Sequence, residues 1–220
     1  MNALVLRVLA CVTMLIDHYG LLYQPMDINY RLVGRLSFPL FAFLIANGFH
    51  HTRSKSRYLL RLTAFALISE IPFDLTFNFS ILEFTRQNIF FTLALGLAGL
   101  MCKERLSETW GYYPASALAL MLSGSIAEAA GASYGFIGVL TIFLFHMWQE
   151  KKLPLTLTLG VMGAAFLLMT WPSWVQFWGV LAIIPVALYN GEPGFRHPAL
   201  QYFFYLFYPA HLLALHFLPL

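Results

Sequence analysis

The chain has 220 residues, of which 60% are hydrophobic and 10% charged, and its mean hydropathy is +0.71. These values exclude a water-soluble domain or a disordered segment, and a formal charge of +3 held in short clusters excludes a nucleic-acid-binding surface. They predict an all-α, polytopic membrane helical bundle in contact with membrane lipids, and with no polar linker the bundle is one domain over residues 1–220.

About nine spans follow from the apolar runs and their turn signals, near residues 3–23, 33–50, 58–76, 87–102, 113–130, 134–149, 154–171, 173–189 and 199–218. The fourth is short, and only Pro172 parts the seventh from the eighth, so eight or ten spans remain open. In the first span Arg7 lies near one end and the pair Asp17, His18 near the other. Eleven residues advance a helix by three turns and about 20°, so Arg7 and His18 share a face roughly 16 Å apart. Ionisable groups at such depth face a protein interior or a water-filled cavity, which makes this face a candidate active-site wall. The interruption by Asp17 and His18, with no A-x-A site after it, argues against a cleaved leader.

Asp17 lies about 100° round the helix from His18 and is poorly placed to hold its ring, so its expected partner is Arg35 or another helix. Arg35 opens the second span as an ion-pair partner, Gly34 and Gly48 permit close helix approach, and Pro39 is expected to bend that helix. Arg53, Lys55, Arg57 and Arg61 form a basic patch before the third span. Glu70 and Asp74 flank Pro72, either in a kinked helix whose acids line a polar seam or with one of them orienting His18 or the acceptor, and Asn88 begins the fourth span. Ser133, Tyr134 and Gly135 begin the sixth, where a helix cap is the alternative to a site role. His211 and His216 lie in the last span, five residues apart, and His50 and His51 are adjacent. Neither pair has zinc-ligand spacing, so no metal is expected, and Cys11 and Cys102 sit in apolar runs that suggest no disulfide framework.

Cytoplasmic loops carry the Lys and Arg excess. With the N-terminus inside, Arg7, Arg53, Lys55, Arg57, Arg61, Lys103, Arg105, Lys151, Lys152 and Arg196 fall on the cytoplasmic side, against Arg31, Arg35 and Arg86 outside. The expected topology is N-in, with Asp17, His18, Arg35, Glu70, Asp74, Asn88 and His211 gathered near the outer leaflet.

The segments MLIDHYG at 14–20, GRLSFPLFAFLIANG at 34–48, SYGFIGVL at 133–140 and FYPAHLLAL at 207–215 resemble the TraX family of integral membrane proteins, which is associated with N-terminal acetylation of conjugative pilin. More distantly, Arg7-x10-His18 and the FPLFAFLIANGF run at 38–49 are similar to the first- and second-helix motifs of acyltransferase-3 type transmembrane acyltransferases, and Arg57 and Arg61 resemble the basic stretch that follows. These resemblances imply a bacterial inner-membrane acetyltransferase that uses acetyl-CoA as acyl donor and a peptide or glycan acceptor. His18 would be its general base, with Asp17 and His211 as further catalytic candidates. Arg7, Arg35, Arg57 and Arg61 would hold the donor's phosphates, and Glu70, Asp74, Asn88 and Tyr134 would form the polar cluster around the acceptor. For His18 and His211 the alternative is a histidine hydrogen-bonded in the bundle, and for the basic patch it is membrane orientation alone. Two rivals stand beside the enzyme. A transporter would show related halves and broken helices in corresponding positions, and neither is visible in the sequence. The second rival is a pilus-assembly scaffold without catalysis.

Overall fold

The computed structural model describes residues 1–81, 83–195 and 197–218, apart from the side chain of Pro198; Arg196, counted above with the cytoplasmic cations, lies outside the described residues. Ten α-helices follow one another, with no β-strand among the described residues: α1 Ala3–Tyr23, α2 Ile28–Gly34, α3 Ser37–His51, α4 Lys55–Phe77, α5 Ile89–Trp110, α6 Tyr112–Ala129, α7 Gly135–Gln149, α8 Leu155–Met169, α9 Ile183–Ala187 and α10 Pro198–Phe217. A 3-10 segment, Val175–Ala182, leads into α9.

The helix starts are chemically marked. Asn2, Asp27, Ser54 and Asn88 cap α1, α2, α4 and α5 with a side-chain oxygen that accepts a backbone N–H. Ser133 does not cap α7: its hydroxyl donates to the Gln87 carbonyl at 2.7 Å, and the Glu128 carboxylate accepts from the Phe136 N–H at 2.9 Å instead.

An apolar core is buried, but so are charged and polar side chains, and large apolar ones also lie on the surface. Asp17, Glu70, Asp74, Asn88, Lys103 and His146 are buried, whereas large apolar side chains are exposed. On α1, Val5, Val8, Val12, Leu15 and Tyr19 are exposed at spacings of three and four, with Leu21 beside them, so one continuous stripe of the helix is apolar and uncovered. Such a surface suits hydrocarbon rather than water. Two stretches, Ala3–Tyr23 and Ile28–His51, are long and apolar enough to cross a membrane. The chain is therefore read as an all-helical membrane protein.

Helices α1, α3, α4, α5 and α10 surround the central space; α7 packs outside α3 and α5, α6 lies against α5 and α7, and α8 lies against α7 and the 3-10 segment. Gly34 and Gly48 permit close approaches, as expected from sequence. A Cβ on Gly34 would come within 2.2 Å of Asp17, and one on Gly48 within 2.9 Å of the Tyr58 ring.

The second span is broken at Arg35 and Leu36, one turn before Pro39, whose ring and missing N–H exclude the i−4 bond to the Arg35 carbonyl, so the expected bend is present. Two expectations are corrected. The expected fourth span ends at 102, but α5 continues through Lys103 and Arg105 to Trp110. The eighth span is no single α-helix; its first half is 3-10, and Gly179 there lies against Phe166 and the Arg35 carbonyl.

Candidate active site

His18 and His211 meet across the α1–α10 contact. His18 Nδ1 lies 2.8 Å from His211 Nε2, and the two rings are within 1° of parallel. His211 Nδ1 lies 2.7 Å from the Phe207 carbonyl one turn back on α10. A carbonyl only accepts, so His211 Nδ1 carries a proton. In the neutral pair His211 Nε2 is then the acceptor, His18 Nδ1 the donor, and His18 Nε2 keeps a free lone pair. The backbone thus fixes the tautomers of both rings in series, and the basic atom that results is His18 Nε2.

Asp17 takes no part in that series. Its carboxylate accepts from Arg35 Nη2 at 2.5 and 2.6 Å and from Arg31 Nη1 at 2.9 Å, tying α1 to α2 and to the break before α3. Arg35 also donates through Nη1 to Gln176 Oε1 at 2.8 Å, and Tyr134 lies beside Arg35 and Gln176 with its ring stacked 3.7 Å from Phe38. Asp17 is an interhelical anchor in this arrangement, and Arg35 serves the same cluster, at the opposite end of α1 from Arg7.

Glu70, Asp74 and Asn88 form a second polar group. Asn88 donates through Nδ2 to Glu70 Oε2 and, at 2.7 Å, to the Ala66 carbonyl, while Glu70 Oε1 is buried without a partner. Asp74 accepts from Asn78 Nδ2 at 2.9 Å and from the Glu83 N–H at 2.7 Å, which ties down the loop between α4 and α5. In that loop, hydrogen bonds from Thr85 and the Phe84 N–H hold the Glu83 carboxyl below its usual range.

A cavity of about 620 Å³ runs between α1, α3, α4 and α10, within the size range of small-molecule sites. Arg7, Arg53 and Arg61 line one end beside the loop that precedes α10; Met14, Phe90 and Tyr208 line the other. No carboxylate is among its described lining residues. Arg61 Nε is buried without a hydrogen-bond partner, and the cavity end it occupies is cationic. Of the four arginines expected at the donor the structure places Arg7 and Arg61 here, joined by Arg53 of the basic patch, while Arg35 is held by Asp17 instead. Arg57 is exposed and outside the lining, and Lys55 pairs with Glu104.

The chain matches the family described as TraX protein over residues 3–219. It belongs to the TraX family. This TraX-family chain is 33% identical over 236 aligned residues, covering 96% of itself and 93% of the relative, to the probable fimbrial assembly protein FimC, serogroup H1, of Dichelobacter nodosus. No solved structure matches it.

Two features of this TraX-family chain escaped sequence reasoning. Tyr208, in the quoted FYPAH segment, stands between the cavity and the histidine pair, its ring 5.6 Å from His211 and 6.2 Å from His18. At the Arg7 end of the bundle, His50, His146 and Glu150 bring ligand-type atoms within 4.8 Å of one another, which neither histidine spacing had suggested. Lys103 Nζ already stands among them, 3.2 Å from His146 Nε2 and 3.1 Å from Glu150 Oε2, so a cation of the protein's own supplies positive charge there.

Proposed function

We propose that this protein is a multi-pass acetyltransferase of the bacterial inner membrane, with about nine spans and its N-terminus inside. It moves an acetyl group from cytoplasmic acetyl-CoA to an amine or hydroxyl at the outer side. The observation that carries the reading is one cavity with arginines at one end and an imidazole pair just beyond the other. The association of the family with pilin acetylation and the fimbrial-assembly name of the relative favour the N-terminus of a pilin-like protein as acceptor.

The cavity suits the donor. Coenzyme A presents several phosphates, guanidinium groups pair with phosphate in bidentate fashion, and Arg61 Nε is a buried donor still lacking an acceptor. Arg7 and Arg61 would hold the nucleotide end, leaving the thioester arm to run along α1 toward His18. His18 Nε2 would take the acceptor's proton as the carbonyl is attacked and return it to the departing thiolate. His211 would keep that nitrogen unprotonated at rest, as a positioning residue. Glu70, Asp74, Asn88 and Tyr134 would shape the acceptor side.

The test is purified protein in detergent with acetyl-CoA and candidate peptide and sugar acceptors, read by release of free thiol. Thiol release with at least one acceptor, abolished in His18→Ala at unchanged unfolding temperature, is the expected result. No turnover with any acceptor together with no CoA binding would refute it. The relative's description as a fimbrial assembly protein also supports a second reading, a pilus-assembly membrane protein without catalysis. Under that reading, His18→Ala leaves pilus assembly intact.

A further inference from the structure

The acetyl-transfer reading does not say what limits the acyl group to two carbons, and the far end of the cavity bears on it. Met14, Phe90 and Tyr208 close that end, each less than a tenth exposed. Tyr208 is fixed there by aromatic contacts on two sides: edge-on to Phe90 at 5.4 Å and 89°, and to His211 at 5.6 Å. Its place on α10 is one turn before His211, as Met14's place on α1 is one turn before His18.

These side chains lie about as far from His18 as the reacting carbonyl has to stand. A base within about 3 Å of the acceptor's nitrogen or oxygen, and that atom about 3 Å from the carbonyl carbon, put the carbon roughly 6 Å from His18 Nε2. Met14 precedes His18 by four residues, a rise of about 6 Å along the helix. The Tyr208 ring lies 6.2 Å from the His18 ring. A thioester delivered through the cavity therefore meets the acceptor at the level of these side chains, with its acyl tail against them.

We propose that Tyr208, with Met14 and Phe90, forms the floor that measures the acyl group, so that the site transfers acetyl and rejects longer chains. The inference rests on the acyl-transfer reading. In the step concerned, the thioester C–S bond breaks and a C–N or C–O bond forms. The acceptor proton passes to His18 Nε2 and then to the thiolate sulfur, with no change of oxidation state. A methyl group fits between the carbonyl and the floor, whereas each further methylene presses on side chains already packed. In well-formed apolar pockets one methylene shifts kcat/KM by about 10- to 200-fold.

The experiment measures kcat/KM for acetyl-, propionyl-, butyryl- and hexanoyl-CoA with one fixed acceptor. Wild type is expected to lose about tenfold or more between acetyl and butyryl. Tyr208→Ala should shrink that ratio at least tenfold, Tyr208→Phe should keep the wild-type profile, and Met14→Ala, which opens the same floor from α1, should shrink it too. A flat wild-type profile overturns the inference and spares the acyl-transfer reading. So does a parallel loss for every donor in both alanine variants. Absence of thiol release from every donor in wild type removes the reading and the inference together.

Discussion

Replacing Asp17 by alanine tests the structural core of the candidate site without reference to catalysis. The carboxylate accepts three short hydrogen bonds from two guanidinium groups, and the side chains of Asp17 and Arg35 are 11% and 12% exposed. Its removal leaves Arg35 buried beside Arg31 with no counter-charge, Gln176 as its sole remaining hydrogen-bond acceptor and Nε already unpartnered. Breaking one side of a buried ion pair costs about 3–5 kcal/mol, most of it from the stranded charge. Arg31 is more exposed, at 27%, and its share is that of a half-solvated pair, about 1 kcal/mol or less. At about 2–4 °C per kcal/mol for a chain of this size, the unfolding temperature in detergent should fall by roughly 6–20 °C. Because the cost is a stranded charge, Asp17→Ala with Arg35→Met should recover about 2 kcal/mol or more relative to the sum of the single losses. The measurement is thermal unfolding of the four proteins of the cycle. A loss under about 1 kcal/mol for Asp17→Ala, or strict additivity in the double variant, would refute the reasoning.

Three further outcomes follow from the geometry. His211→Ala removes the acceptor for His18 Nδ1–H and frees the wrong tautomer, so kcat for thiol release should drop by about 10²–10⁴-fold with the KM for acetyl-CoA little changed; a loss confined to KM would place His211 in donor binding instead. Asn88→Ala takes away the α5 cap and a Glu70 partner together, and a loss of about 2–4 kcal/mol in unfolding experiments is expected, whereas a loss under about 0.5 kcal/mol would show the cluster to be solvated. Arg61→Gln should raise the dissociation constant for CoA about tenfold or more, measured by calorimetry at fixed ionic strength, with Arg57→Gln close to wild type because that side chain is exposed and outside the cavity.

Much of the α1 geometry was readable from helical periodicity. The 100° between Asp17 and His18 assigned them different neighbours, and the Asp17–Arg35 ion pair is observed. Gly34 and Gly48 were legible for a similar reason, since small residues in apolar helices mark places where another chain segment comes close. The His18–His211 contact was not, because it joins residues 193 apart and no local pattern encodes which helices become neighbours. The same holds for Lys103, His146 and Glu150, contributed by α5 and the end of α7. Hydropathy also misread residues 173–189, because apolar composition reports burial or lipid contact and not whether the turns close as 3-10 or α. Arg57 and Arg61 looked alike in sequence; one turn of helix separates an exposed cation from one with a buried nitrogen.

The commitment of Asp17 to two arginines has a kinetic consequence. Neither imidazole of the pair is hydrogen-bonded to a carboxylate among the described residues, so an imidazolium formed on His18 has no anion to rest against. On the acyl-transfer reading, a proton taken up on His18 Nε2 is stabilised instead through the Nδ1–H bond to His211 Nε2 and, behind it, the Phe207 carbonyl. On the same reading, a curved proton inventory for thiol release would show the Nδ1 proton of His18 moving toward His211 Nε2 in the transition state in which Nε2 takes the acceptor's proton, whereas a linear inventory would show one proton moving alone.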